Sequence, residues 1–215
     1  MDLKEFSVFK GIPEEQLSEL LKHINLRKFA RKTQIITEGD DSHCVYFVTE
    51  GRVKVYLDDE SGKEIIINIH GPGEFFGELG LIQNTTRTAS VVTLEDATLG
   101  LLSSADFRNC LRRYPDFALQ IIHNLAGRLE HATEAIRQLG LMDVYGRIVV
   151  TFLNLSDEQD GKRVIRERLT QKDIASRVGA SREMVARIMK DLRVGEYIDI
   201  VDGHIVIQKS LPHSW

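Results

Sequence analysis

Residues 77–89 read Gly-Glu-Leu-Gly-Leu-Ile-Gln-Asn-Thr-Thr-Arg-Thr-Ala, and this string is the most informative segment of the sequence. Gly77 lets backbone N–H groups approach an anionic phosphate closely. Arg87 offers a planar cation with paired donors, and Thr88 adds a hydroxyl. Glu78 is an acceptor that suits a ribose hydroxyl. A surface loop in which Glu78 and Arg87 form an exposed ion pair is the simpler alternative, and the residue types alone do not exclude it.

Composition describes an ordinary globular protein. The 215 residues allow one or two domains, and the chain is 42% apolar and 28% charged. No apolar run approaches the ~18 residues of a membrane span, and the N-terminus lacks the order of a signal peptide, so we expect a cytoplasmic protein without a membrane anchor. Cys44 and Cys110 are too few for a disulfide framework or a metal knuckle, and we expect two small buried side chains.

The net charge of −4 is distributed unevenly along the chain. Residues 1–138 carry 16 basic and 21 acidic side chains, whereas residues 139–215 carry 12 and 11. Within the second part, residues 162–193 hold ten basic and four acidic side chains. A solvated face is one explanation of this basic stretch. Its coincidence with a helical motif favours a nucleic-acid-binding surface.

Apolar periodicity divides the first part of the chain. Residues 14–23, behind Pro13, show the helical spacing of a short amphipathic helix. From about Ile35 to Leu102 the period changes to two, and Gly-containing turn signals recur between the short runs. Many short strands with regular turns predict an antiparallel roll or barrel. Because strands do not alternate with long helices, the pattern argues against a Rossmann fold.

A heptad seam follows Pro115. Its apolar positions are Ala118, Ile122, Leu125, Leu129, Ala132, Ile136 and Leu139. The 3.5-residue period favours a coiled-coil homodimer over a helix buried in the core of one chain, since charged residues such as Arg128 and Glu130 flank the seam. Gly140 interrupts the pattern, and we expect a second, smaller domain to begin there.

The second domain contains a helix-turn-helix pattern. Thr170 and Asp173 are spaced as a capping box, Gly179 supplies a left-handed turn, and Ser181 opens a second helix. The core between the helices is predicted to contain Ile174, Val185 and Ile188. A hairpin around the Asp-Gly pair at 202–203 would form the wing of a winged helix.

The spacing of the second helix leaves Arg182, Glu183 and Arg187 on its outward side near its start. That part of a recognition helix reaches base edges in the major groove. Arginine pairs bidentately with guanine, and glutamate accepts from cytosine. These side chains are therefore candidates for reading DNA sequence.

The string at 77–89, the segment 141–148 and the pattern from Ser181 to Arg187 together resemble the cyclic-AMP receptor protein (CRP/FNR) family. The resemblance covers essentially the whole chain in the same order. It implies an α+β fold with three parts: an N-terminal cyclic-nucleotide-binding β-roll (1–113), a long dimerisation helix (114–139) and a C-terminal winged helix-turn-helix (140–215).

The resemblance also assigns roles to residues. It implies that Glu78 binds the ribose 2′-hydroxyl, that Arg87 and Thr88 hold the phosphate, and that further residues surround these groups. The implied nucleotide site comprises Gly77, Glu78, Leu79, Arg87, Thr88, Ala89, Thr133, Val55 and Ile67. The implied DNA-binding residues are Thr170, Gln171, Ser181, Arg182, Glu183 and Arg187.

Three departures from the family pattern leave the identity of the base open. Ala132 replaces the first member of a Thr-Ser pair that meets the adenine amino group, and Thr133 retains the second hydroxyl. His70 stands at a position that is usually apolar, and the cassette, residues 77–89, is one residue shorter than in the best-known enteric form. None of these departures changes the residues that the resemblance assigns to the phosphate and the ribose.

We therefore expect a non-enzymatic DNA-binding transcription regulator controlled by cyclic AMP or a related nucleotide, with no metal. The expected partners are a pseudo-palindromic DNA site, a second copy of the chain and RNA polymerase. One alternative is a family member that responds to another effector or to none, and another is a regulatory subunit that binds cyclic nucleotides. A cupin-like enzyme would need clustered histidines on the strands, where the sequence offers His43 and His70.

Overall fold

The computed structural model describes residues 2–159 and 161–212. These residues form two compact units. The first comprises the chain up to residue 57 together with residues 66–131, and the second comprises residues 58–65 together with the chain from residue 132 onward. The predicted domain boundaries stay predictions: the one at residue 113 falls just before the helix Pro115–Leu141, and the one at residue 139 falls inside that helix.

The chain as far as residue 141 contains two single-turn 3-10 helices, eight strands and four α-helices. The 3-10 helices are Leu3–Glu5 and Ser7–Phe9. The strands and helices are α1 (Glu14–Leu21), β1 (Ile24–Phe29), β2 (Gln34–Ile36), β3 (Cys44–Glu50), β4 (Val53–Asp58), β5 (Glu64–His70), β6 (Phe75–Phe76), α2 (Glu78–Gln83), β7 (Ser90–Thr93), β8 (Ala97–Ser103), α3 (Ser104–Arg113) and α4 (Pro115–Leu141).

The eight strands form two four-stranded sheets, ordered β1-β8-β3-β6 and β2-β7-β4-β5. The strand pairs β1–β8, β2–β7, β3–β6, β3–β8 and β4–β7 are antiparallel, which confirms the predicted roll. Aromatic side chains dominate the core between the roll and the adjoining helices, because large rings remove the most apolar surface from water. The fully buried rings of this core are Phe6, Phe9, Phe47, Phe75, Phe107 and Phe117.

The cassette enters the fold between β6 and β7. Gly77 follows β6 with a φ of +84°, and helix α2 begins at the next residue. This helix has six residues, which is too short to show in the periodicity, and the sequence did not predict it. Asn84 ends the helix in the left-handed conformation, and the chain then returns to β7.

Helix α4 is the predicted long helix. It has 27 residues and continues through Gly140 to Leu141, two residues beyond the predicted end at residue 139. A glycine within a helix costs only about 1 kcal/mol, which neighbouring turns can offset. Ile122, Leu129 and Ile136 recur every seven residues and are 60%, 68% and 70% exposed.

The chain beyond residue 141 forms a winged helix-turn-helix, as predicted. Its elements are α5 (Val144–Leu155), β9 (Ser156–Gln159), β10 (Lys162–Ile165), α6 (Gln171–Val178), α7 (Arg182–Val194), β11 (Ile198–Val201) and β12 (His204–Ile207). The strands form one antiparallel sheet in the order β11-β12-β10-β9. The hairpin of β9 and β10 was not predicted, because its polar residues carry no apolar alternation.

Local sequence explains the helix-turn-helix. The Thr170 side chain accepts from the Asp173 N–H and the Asp173 carboxylate accepts from the Thr170 N–H, so the predicted capping box is confirmed. Gly179 ends α6 with a φ of +64°. The predicted core of Ile174, Val185 and Ile188 is buried as expected. Among the described residues, no helix combines the length and apolarity needed to cross a membrane.

Candidate functional site

Arg87 is the central cation of the cassette and is 6% exposed. Its Nη1 donates to the Gly77 carbonyl oxygen at 2.7 Å, and its Nη2 donates to the Cys44 carbonyl oxygen at 2.8 Å. The backbone of Arg87 is also hydrogen-bonded. Its N–H donates to the Asp40 carbonyl oxygen, and its carbonyl oxygen accepts from the Gly39 N–H. A buried cation with neutral acceptors as its hydrogen-bond partners favours an anion nearby.

Gly77 is required beside this guanidinium for two reasons. Its φ of +84° lies in the left-handed region that side chains disfavour. A Cβ at this position would also lie 2.7 Å from Arg87 Nη1. Glycine therefore allows the backbone turn and the close approach of the arginine together.

Glu78 is the buried anion of the cassette and is 1% exposed. Its Oε1 accepts from Arg128 Nη1 at 2.9 Å. Its Oε2 has no hydrogen-bond partner within residues 2–159 and 161–212. Leaving a buried carboxylate oxygen unpaired is costly, so this atom marks the place where a ligand hydroxyl would donate.

Arg128 is a site residue that the sequence analysis missed. Its charge suggested only a solvated rim beside the heptad seam. In the structure its Nη2 donates to the Phe75 carbonyl oxygen at 2.5 Å, and its guanidinium carbon lies 5.0 Å from the Phe75 ring centroid. No local motif could have shown this, since Arg128 and Glu78 are 50 positions apart in the sequence.

The other predicted nucleotide-site residues vary in exposure. Leu79 and Thr88 are exposed, and Ala89 is half-buried. Val55 is partly buried and packs against an apolar cluster of the roll that includes Val53 and Val91. Ile67 is 56% exposed. Thr133 is exposed on α4 and belongs to the second unit, so its role at the base stays a prediction.

His70 is accommodated at its usually apolar position by stacking. Its side chain is 2% exposed and lies parallel to the Phe76 ring, with centroids 6.0 Å apart. Its Nδ1 lies 3.3 Å from Glu74 Oε1. Burial works to raise the pKa of Glu74, but the hydrogen bonds from His70 and the Gly71 N–H outweigh it and hold that pKa below its ordinary value.

The structure offers no metal site among the described residues. No group of three or more histidine, cysteine, aspartate or glutamate side chains is arranged to hold a metal ion there. Cys110 is buried, as predicted, and burial raises the pKa of its thiol to about 11. Cys44 is only half-buried, which the prediction of two buried cysteines missed. Its carbonyl faces the polar Arg87.

The predicted DNA-reading residues lie at the start of α7. Ser181 is the N-cap and accepts from the Met184 N–H at 3.2 Å, so its side chain holds the helix terminus. Arg182, Glu183 and Arg187 are exposed on this helix, as their spacing predicts. Thr170 and Gln171 are also exposed, at the start of α6.

Several basic residues of the 162–193 stretch serve the fold instead. Arg177 donates to Glu167 at 2.7 Å, and both side chains are largely buried. Arg163 donates to Ser156 Oγ at 2.9 Å within the β9–β10 hairpin, and Arg166 forms a solvent-exposed ion pair with Asp157. Some cations of this stretch are therefore already held by contacts within the chain, whereas Arg182, Arg187 and Lys190 are exposed on α7.

Known proteins match both units of the chain. Residues 26–114 match the family model of the cyclic nucleotide-binding domain, and residues 146–210 match that of the Crp-like helix-turn-helix domain. The cAMP-activated global transcriptional regulator CRP of Salmonella typhimurium is 32% identical over 195 residues, covering 89% of this chain and 93% of that protein. The cAMP-activated regulator Vfr of Pseudomonas aeruginosa is 31% identical, covering 83% and 86%.

Solved structures show the same fold. The c-di-GMP-responsive global regulator CLP of Xanthomonas campestris is 25% identical and covers 92% of this chain and 100% of its own, with a TM-score of 0.81. The catabolite activator protein of Thermus thermophilus is 26% identical and covers 94% and 93%, with a TM-score of 0.57.

Fold, cassette and recognition helix together define a transcription regulator with a cyclic-nucleotide-binding domain and a DNA-binding helix-turn-helix. The chain belongs to the CRP/FNR family of regulators. Its curated relatives are transcription regulators, a non-enzymatic class.

Proposed function

We propose that this protein is a homodimeric, cytoplasmic transcription regulator whose effector is cyclic AMP or a closely related cyclic nucleotide. One observation carries the proposal: the buried Glu78 carboxylate keeps one unpaired oxygen, in the same cassette as a buried arginine. A cyclic ribose phosphate supplies the two missing groups, a hydroxyl donor for Glu78 and an anion for Arg87.

Cyclic di-GMP is the second candidate effector. It also presents ribose and phosphate groups, and CLP, which responds to it, has the same fold with a TM-score of 0.81. Cyclic AMP remains the first candidate because the CRP and Vfr relatives are cAMP-activated and more similar in sequence.

The DNA part of the proposal rests on α7. Two copies related by a two-fold axis would each present Arg182, Glu183 and Arg187 to one half of a pseudo-palindromic site, with half-sites similar to TGTGA in the family. Nucleotide binding would favour one arrangement of the two recognition helices. Contact with RNA polymerase is part of the same proposal.

Calorimetric titration tests the effector. We expect wild-type dimer to bind one of cyclic AMP, cyclic GMP and cyclic di-GMP. Arg87→Leu removes a charge-assisted contact worth ~1.5–3 kcal/mol and should weaken that binding by about one to two orders of magnitude. The matched control is Arg31→Leu, which removes an exposed arginine of the same roll and should leave the affinity unchanged.

Arg87→Leu also removes the side-chain donors to the Gly77 and Cys44 carbonyl oxygens, so circular dichroism melting should show that the variant is folded. Arg87→Lys retains the charge and should lose less affinity than Arg87→Leu. Unchanged affinity in folded Arg87→Leu, or no binding of any of the three nucleotides by wild type, would refute the proposed effector site.

A further inference from the structure

Three aromatic rings form a parallel column that ends at Arg87. Tyr46 and Phe76 lie opposite each other in the β3–β6 pair, and their rings stack with centroids 5.0 Å apart and planes 6° apart. His70 also stacks with Phe76, with ring centroids 6.0 Å apart and planes 9° apart. At the opposite end, the Arg87 guanidinium carbon lies 5.7 Å from the Tyr46 centroid.

Burial makes the arginine–tyrosine contact stronger than its surface equivalent. Tyr46 is 9% exposed and Phe76 is 2% exposed, so little water competes for the guanidinium at this ring face. Burial also raises the pKa of the Tyr46 hydroxyl, and a hydrogen bond with the Cys44 side chain acts in the same direction. The tyrosine therefore contacts the cation as a neutral aromatic ring.

We propose that Tyr46, supported from behind by Phe76, is a positioning residue for Arg87 and thereby for the anionic part of the effector. The inference rests on the proposed function. Two backbone oxygens, those of Gly77 and Cys44, hold two guanidinium nitrogens, and the Tyr46 ring lies against the same group. Together these contacts fix the plane in which the remaining N–H groups of Arg87 donate.

A simpler explanation is that Tyr46 only fills the core, since it packs in a cluster with residues such as Val48 and Leu99. A core-filling residue would change stability and would weaken all ligands alike, independently of Arg87. A positioning residue acts through Arg87 and loses its effect when Arg87 is absent. The two explanations therefore differ in a double-mutant cycle.

The cycle uses Tyr46→Leu, Arg87→Leu and the double variant, with effector affinity measured by calorimetry. We expect Tyr46→Leu to weaken binding about tenfold, and the double variant to bind as weakly as Arg87→Leu alone. Tyr46→Phe keeps the ring and should stay within about threefold of wild type. The matched control is Tyr56→Leu. Tyr56 also has a cation against its ring, with Lys54 Nζ 4.5 Å from the ring centroid, but its cation is not Arg87.

A ligand-free measurement separates this inference from the proposed function. In ¹H–¹⁵N spectra of arginine side chains, the Arg87 Nε–H resonance, assigned by its loss in Arg87→Leu, should shift in Tyr46→Leu because the ring current disappears. It should stay in place in Tyr56→Leu. An unmoved resonance, or additive losses in the cycle, would overturn the positioning role, whereas failure of wild type to bind nucleotide would count against the proposed function alone.

Discussion

Buried polar side chains in the roll are paired with few exceptions, which makes the exceptions informative. Thr93 donates to the Ala30 carbonyl oxygen at 2.7 Å, and Ser90 accepts from the Glu38 N–H at 3.1 Å. Such pairing recovers most of the free energy lost when a polar group leaves water. Against this background, the unpaired oxygen of Glu78, whose side chain is 1% exposed, supports the proposed ligand hydroxyl.

The His70–Glu74 pair gives the roll a predictable acid sensitivity. The folded pKa of Glu74 lies below its ordinary value of 4.5, so ionised Glu74 contributes stability above that value. This contribution disappears as the pH falls through the lowered folded pKa. Urea unfolding should therefore show that the free-energy difference between wild type and Glu74→Gln shrinks from pH 6 to about pH 4 and below.

The matched comparison for this prediction is the same Glu74→Gln change made in a His70→Phe background. Phenylalanine keeps the stack on Phe76 but cannot hydrogen-bond Glu74, so the pH-dependent difference should be smaller there. A difference that stays constant over this pH range in the wild-type background would contradict the assignment of the His70 contact.

At the scale of the element, α4 uses its apolar residues on two sides. Leu125 packs against the phenylalanine core of the roll, whereas Ile122, Leu129 and Ile136 face solvent in the single chain. An apolar stripe of this length on a single chain marks an interface. The seven-residue recurrence of the exposed side chains fits a parallel partner helix from a second copy.

Leu129→Glu should separate the proposed dimer into monomers. Leu129 is 68% exposed in the single chain, and a glutamate there would be buried without a partner in the dimer seam. Sedimentation velocity at micromolar concentration measures the result. Leu141→Glu changes an 80% exposed leucine outside the heptad positions and should leave the dimer intact. Wild type sedimenting as a monomer would contradict the seam.

At the scale of the whole molecule, the proposed regulator depends on two α7 helices acting together. Two-fold symmetry would place their half-sites about one helical turn, ~34 Å, apart along DNA. Because the effector would select one arrangement of the pair, it should tighten the specific site more than random DNA. Under this proposal, the affinity for DNA would report on nucleotide binding in the other unit.

Arg182→Ala should lose one bidentate contact to guanine. We expect a cost of ~1–3 kcal/mol on the specific site and relaxed selectivity at one base pair. Lys190→Ala, which removes an exposed cation of the same helix, should instead weaken all sequences alike and flatten the salt dependence. Fluorescence anisotropy on palindromic and scrambled duplexes, with and without cyclic AMP, distinguishes these effects. Equal affinity of wild type for both duplexes in every condition would contradict the regulatory function.

Sequence alone was sufficient for features that depend on neighbouring residues. The capping box at Thr170, the left-handed turn at Gly179 and the Asp-Gly turn at residues 202–203 each follow from local backbone and side-chain preferences. The long helix followed from its periodic pattern, although its end at Leu141 did not. The resemblance to a known family supplied the roles of the cassette residues.

Tertiary structure alone decided which distant residues meet. The Arg128–Glu78 pair depends on where α4 passes the cassette, and the column from His70 to Arg87 depends on the register that sets Tyr46 opposite Phe76. Strand β6, which carries Phe76, has two residues and no periodicity to read. Short-range sequence patterns specify the backbone conformation of neighbouring residues, whereas contacts between distant segments depend on how sheets and helices pack. That packing brings Arg128 to Glu78 and Tyr46 to Arg87.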